Sequence, residues 1–71
     1  MRILLRDSRK RLYFRYGHVW TSNAEAAFDF QQPQEFFKFV ADRQLRSVEA
    51  VLVFENPRRL EVVALESAIE R

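Results

Sequence analysis

Cysteine is missing from this sequence, glycine and histidine occur once each, and proline occurs twice. The first absence rules out disulfides and thiolate metal sites. One glycine cannot build the glycine-rich loop that cradles a nucleotide phosphate. With His18 as the sole histidine, a Ser-His-acid arrangement needs Ser8, Ser22 or Ser47 and a carboxylate to converge on it. No nucleophile-elbow spacing surrounds any of these serines. The acids are scattered, without zinc or calcium ligand spacing. The sequence therefore predicts no catalytic residue, no metal and no cofactor. Nor does any apolar run approach the roughly 20 residues of a transmembrane helix. Ile3-Leu4-Leu5 is too short for the core of a signal peptide. A cytoplasmic, bacterial-type protein is the expectation.

What is present is the composition of a folded domain. The chain is 48% hydrophobic and 31% charged, too apolar for a disordered tail. Its 71 residues predict one domain, 1–71. Ordering costs about 1.5 kcal/mol per residue, so so small a core leans on tight packing or on a partner subunit. Charge is unevenly spread. Residues 1–20 hold six of the twelve basic groups and only Asp7 among the ten acids. Such an asymmetry points to a partner, which can be a second copy of the chain.

The longest β-branched apolar run, Val48-Glu49-Ala50-Val51-Leu52-Val53-Phe54-Glu55, predicts a central strand. Before it, Arg2–Arg6 and Arg11–Tyr16 alternate on either side of Asp7-Ser8-Arg9-Lys10, which predicts a β-hairpin. Ile3, Leu5, Leu12, Phe14 and Tyr16 are expected inside, and Arg2, Leu4, Arg6, Arg11, Tyr13 and Arg15 outside. Gly17 suits a positive φ, and residues 18–21 continue extended. Ser22 followed by Glu25 has capping-box spacing for a single helical turn over residues 23–27. Phe28 and Phe30 look like anchors on either side of Asp29. Pro33 belongs at the first position of a helix running to about Leu45. Phe36, Phe37, Val40, Ala41 and Gln44 share one arc of its wheel. Asp42 and Arg46 have ion-pair spacing. Phe39, off that arc, is expected under the Trp20–Phe30 connection, and Trp20 at the edge of the sheet. Asn56-Pro57-Arg58-Arg59 is a turn, and Leu60–Leu65 a last strand. Residues 66–71 are expected to fray or to form one helical turn.

The order β-β-α-β-β predicts an α+β fold: a four-stranded, mainly antiparallel sheet with one helix packed on one face. Strand order stays open. Tyr13, Gly17, Trp20-Thr21, Ala27, Phe30, the helix and Val48–Phe54 together resemble the layout of short, uncharacterised single-domain bacterial proteins. Those have a β-hairpin, a Trp-Thr segment, one helix and a terminal hairpin. The resemblance covers most of the chain through packing residues and implies no activity.

Two surfaces stand out. In the central strand Val48, Ala50, Leu52 and Phe54 are assigned to the helix side. On the opposite face Val51, Val53, Val63 and Leu65, with Leu4 and Tyr13, form an apolar centre rimmed by Glu49 and Glu61. An open sheet face is ordinarily polar, so this patch predicts an interface, and a homodimer is the expected assembly. The alternative cover is the C-terminal segment 66–71, folded back through Ala68 and Ile69. The second surface is the outward face of the first hairpin, where Arg2, Arg6, Arg11 and Arg15 flank Tyr13. Arginines neutralise phosphates and a tyrosine stacks on a base, so weak, sequence-tolerant nucleic-acid binding is the alternative function.

Overall fold

The computed structural model describes residues 1–17 and 19–65. Five antiparallel strands form one sheet: β1 (Arg2–Asp7), β2 (Leu12–Tyr16), β3 (Val19–Thr21), β4 (Val48–Phe54) and β5 (Arg59–Ala64). Their spatial order is β3-β2-β1-β4-β5. One helix, α1 (Pro33–Asp42), and a short 3-10 turn (Ala24–Ala26) complete the α+β fold. The sheet has five strands where the sequence predicts four. The difference is Val19–Thr21: Gly17, at φ 63°, reverses the chain. Trp20 then lands opposite Phe14, and Thr21 opposite Tyr13. Among the described residues no helix is long and apolar enough to cross a membrane.

The first hairpin turns as Asp7 dictates. Its Oδ1 accepts the N–H groups of Arg9 (2.8 Å) and Lys10 (3.0 Å), and its carbonyl accepts that of Arg11 (2.8 Å). The pairing of β1 with β2 covers only Arg6↔Tyr13 and Asp7↔Leu12, and beyond it the strands splay. Residues 28–30 fill the split. Phe28 donates its N–H to the Phe14 carbonyl, Phe30 donates to Ile3, and Ile3 donates back to the Asp29 carboxylate. Through this gap the chain crosses from one face of the sheet to the other.

Helix α1 starts at Pro33, as its spacing predicts, and stops at Asp42, short of Leu45. Gln44 adopts φ 52° and donates to the Ala41 carbonyl, while Leu45 donates to Val40. That is a Schellman stop. Arg46 therefore lies beyond the helix, and Asp42 is absent from the ion pairs of the described residues. Phe36 and Val40 are buried and Phe39 packs beside them, whereas Phe37 is 52% exposed. The expected arc is thus corrected. Arcs centred on either flank share Phe36 and Val40 and differ by roughly 80° at 3.6 residues per turn. Phe14 and Phe30 lie on the Phe39 side, with ring centroids 4.7 and 5.2 Å from it, and they select that flank.

The helix-side core joins Ile3, Leu5, Phe14, Phe30, Phe36, Val40, Val48 and Ala50, as the alternation predicts, and also Leu65. Leu65 was expected on the other face. The register explains it: Val51 opposes Val62 and Val53 opposes Leu60. Directly opposed residues share a face, so Leu60, Val62 and Ala64 lie away from the helix, and Glu61, Val63 and Leu65 lie toward it. Alternation alone favours the wholly apolar set Leu60, Val62 and Ala64 as the inner one over Arg59, Glu61, Val63 and Leu65, which is half apolar, and the pairing with β4 overrides that preference. A one-residue shift exchanges the faces.

Candidate interaction surface

The apolar centre predicted from the sequence exists, but the chain closes it itself. Leu4, Val51 and Val53 form a second cluster, 0–1% exposed, with Tyr13, Ala24 and Ala27 packed against it. The 3-10 turn is the lid. Asn23 starts it by accepting the Glu25 N–H (3.0 Å), taking the capping role expected of Ser22. Small alanines at 24 and 27 let its backbone approach the sheet. Glu25 then ties the lid down, pairing with Arg58 and lying 3.7 Å from Arg2. The hydrogen bond and charge of Arg58, helped by Arg2, hold the Glu25 carboxyl below its ordinary value, and raise Arg58 in turn. Sequence reasoning placed a helical turn here without a function. Paired alanines flanking an acid were the available sign that it sits on an apolar surface.

The remaining predicted interface residues scatter. Val63 is 44% exposed but on the helix side of the sheet, and Leu65 is in the helix-side core. Glu61 also turns to the helix side and meets Arg59 at 3.3 Å. Glu49 stays on the predicted face, where Nε and Nη2 of Arg6 both reach its Oε2 at 2.5 Å. These two side chains are only 12% and 17% exposed. Burial works to lower the Arg6 pKa, but the bonds and charge of Glu49, then of Tyr13, outweigh it and leave Arg6 raised. The C-terminal cover imagined over 66–71, with Ala68 and Ile69, lies outside the described residues, as does His18.

The basic surface is also rearranged. Arg2 and Arg6 answer Glu25 and Glu49, and Arg6 lies over the Tyr13 ring at 5.8 Å. Arg15 stands over Tyr16 at 5.5 Å, and Arg11 sits in the hairpin loop at φ 60°. Arg2 and Arg6 are thus taken up by acids, while Arg11 and Arg15 stay exposed and outside the ion pairs of the described residues. Among the described residues no group of three or more His, Cys, Asp or Glu gathers to hold a metal ion.

Among the described residues, strand β5 stays open. All six of its residues are exposed, Leu60 by 50% and Val62 by 51%. The backbone parity identifies its free groups. Ile3 bonds residues 29 and 30, away from β4, so Arg2, Leu4 and Arg6 bond toward β4. Their partners Val53, Val51 and Glu49 face β1, leaving Ala50, Leu52 and Phe54 to face β5. In β5 it is then Arg59, Glu61 and Val63 that bond inward, opposite those three. Leu60, Val62 and Ala64 direct their N–H and C=O groups out of the sheet. Comparison with protein-family models, with curated proteins and with solved structures finds no match to this chain.

Proposed function

We propose that this chain is a small interaction module that assembles by strand addition along β5, and that its partner is a second copy of itself. The supporting observation is that edge: backbone groups at Leu60, Val62 and Ala64 that have no partner strand among the described residues, on a strand with exposed apolar side chains. Exposed edges of this kind template pairing with another strand unless charge, proline or a bulge blocks them. Register follows from charge. An antiparallel two-fold centred on Glu61 sets that carboxylate against its own copy, which is unfavourable. Centring on Val62 instead exchanges both hydrogen bonds between the two Val62 residues. It also brings Leu60 against Ala64 of the other copy, continuing the apolar strip outward. A single strand edge is a narrow interface, at the low end of the roughly 1,200–2,000 Å² of stable complexes. The dimer is accordingly expected to form in the micromolar range and to depend on concentration.

Sedimentation equilibrium of two proline variants tests this. Val62→Pro removes an outward N–H and is tolerated at an edge, so it should yield a folded monomer. Val63→Pro removes an inward donor and should lower the melting temperature itself. Wild-type protein that stays monomeric at several hundred micromolar contradicts the proposal.

A further inference from the structure

Two loops meet at one end of the sheet, Ser8–Arg11 and Arg43–Ser47. The N–H and the hydroxyl of Ser8 both donate to the Ser47 carbonyl at 2.8 Å, clamping one loop to the other. Arg11, Gln44 and Ser47 all take positive φ here, three of the five non-glycine residues that do so among those described. Such conformations cost free energy and persist where surrounding bonds hold them. The clamp joins the backbones that carry Arg9, Lys10, Arg11, Arg43 and Arg46 at one end of the sheet. All five are exposed, and the ion pairs of the described residues draw instead on Arg2, Arg6, Arg58 and Arg59. Of the acids nearby, Asp7 is occupied by the loop N–H groups, leaving Asp42.

We infer that this basic end binds the phosphate backbone of a nucleic-acid duplex. A cluster of cations left out of the ion pairs of the described residues suits a polyanion, whose counterions they displace. Single-strand binders add aromatic platforms to their charge, and lipid surfaces are held more firmly where apolar side chains insert. No exposed large apolar residue comes from either loop. Arg43 is itself stacked on Phe39 at 4.5 Å, which orients its guanidinium without neutralising it.

The test is fluorescence anisotropy with a labelled 20-base-pair DNA duplex (about 20 base pairs suffices to span several contacts). Five phosphate contacts predict that affinity falls roughly 500-fold between about 50 and 200 mM salt. Arg9→Gln with Lys10→Gln and Arg46→Gln should weaken binding about tenfold or more and flatten that dependence. If the triple variant melts early, Arg9→Gln with Lys10→Gln, confined to the exposed turn, should still weaken binding several-fold. Lys38→Gln, on the helix, should leave affinity unchanged. Absence of binding at low salt, an unaltered affinity in the loop variants, or tighter binding to phosphatidylserine vesicles than to duplex would overturn the assignment.

Discussion

Strands β4 and β5 are neighbours of similar length and similar apolar content, yet their surroundings are opposite. In β4 the side chains alternate between two covered faces, and Val48, Ala50, Val51 and Val53 are all buried. In β5 every residue is exposed. The difference lies in where the lids fall. The helix and its aromatic cluster close one face over β1 and β4, and the 3-10 turn closes the other. Neither reaches the last strand. Burial in so small a domain is thus decided less by a strand's own composition than by the width of what covers it.

Placing one charge in each strand should break the comparison most sharply. Val51→Asp buries a carboxylate between lid and sheet, and should cost about 4 kcal/mol or more, enough to unfold a marginal domain. Val62→Asp should cost under about 1 kcal/mol and yield a folded monomer. Urea titrations of the two variants separate these outcomes. A similar contrast applies within the helix-side lid. Phe36→Ala should cost about 3–5 kcal/mol, while Phe37→Ala should cost less than about 1. Equal losses would mean that the helix is rolled about its axis.

The smallest expected effect comes from acid acting on the other lid. Glu25 has a lowered pKa in the folded state, so its contribution is complete above the unfolded value of about 4.3. It fades as the pH falls through the lowered value. Glu25→Gln should therefore lose stability relative to wild type near neutrality and converge with it in strong acid. A constant gap across that range would show that the Arg58 pairing does not hold the lid in solution.

Much of this arrangement is legible in the residues. The Asp7 turn, the inward Ile3, Leu5 and Phe14, the Pro33 start and the two faces of β4 all follow from local spacing. Phe39 packs against Phe14 and Phe30, the end of the Trp20–Phe30 connection, while Ala24 and Ala27 of that connection lie on the other face of the sheet. Three features escape because they are tertiary. Val19–Thr21 becomes a strand only by meeting Phe14 and Tyr13. The faces of β5 depend on the register with β4, which turns the wholly apolar set Leu60, Val62 and Ala64 away from the helix, against what the alternation favours. The closing of Leu4, Val51 and Val53 depends on a distant turn lying over them, so an apolar patch in the sequence reads as an interface when it is a second core. Arg2 and Arg6 escape similarly, since their acids are 23 and 43 residues away in the chain.

Residue-resolved amide hydrogen exchange of wild-type protein, at low and high concentration, tests the open edge most directly. Because Arg59, Glu61 and Val63 bond to β4, their amides should be protected at both concentrations. The amides of Leu60, Val62 and Ala64 should exchange fast when dilute and slow down as the second copy pairs with them. Alternation of this kind, appearing only at high concentration, is the predicted result. Protection of Leu60, Val62 and Ala64 that is already present in the dilute monomer, or that never rises with concentration, would contradict the account.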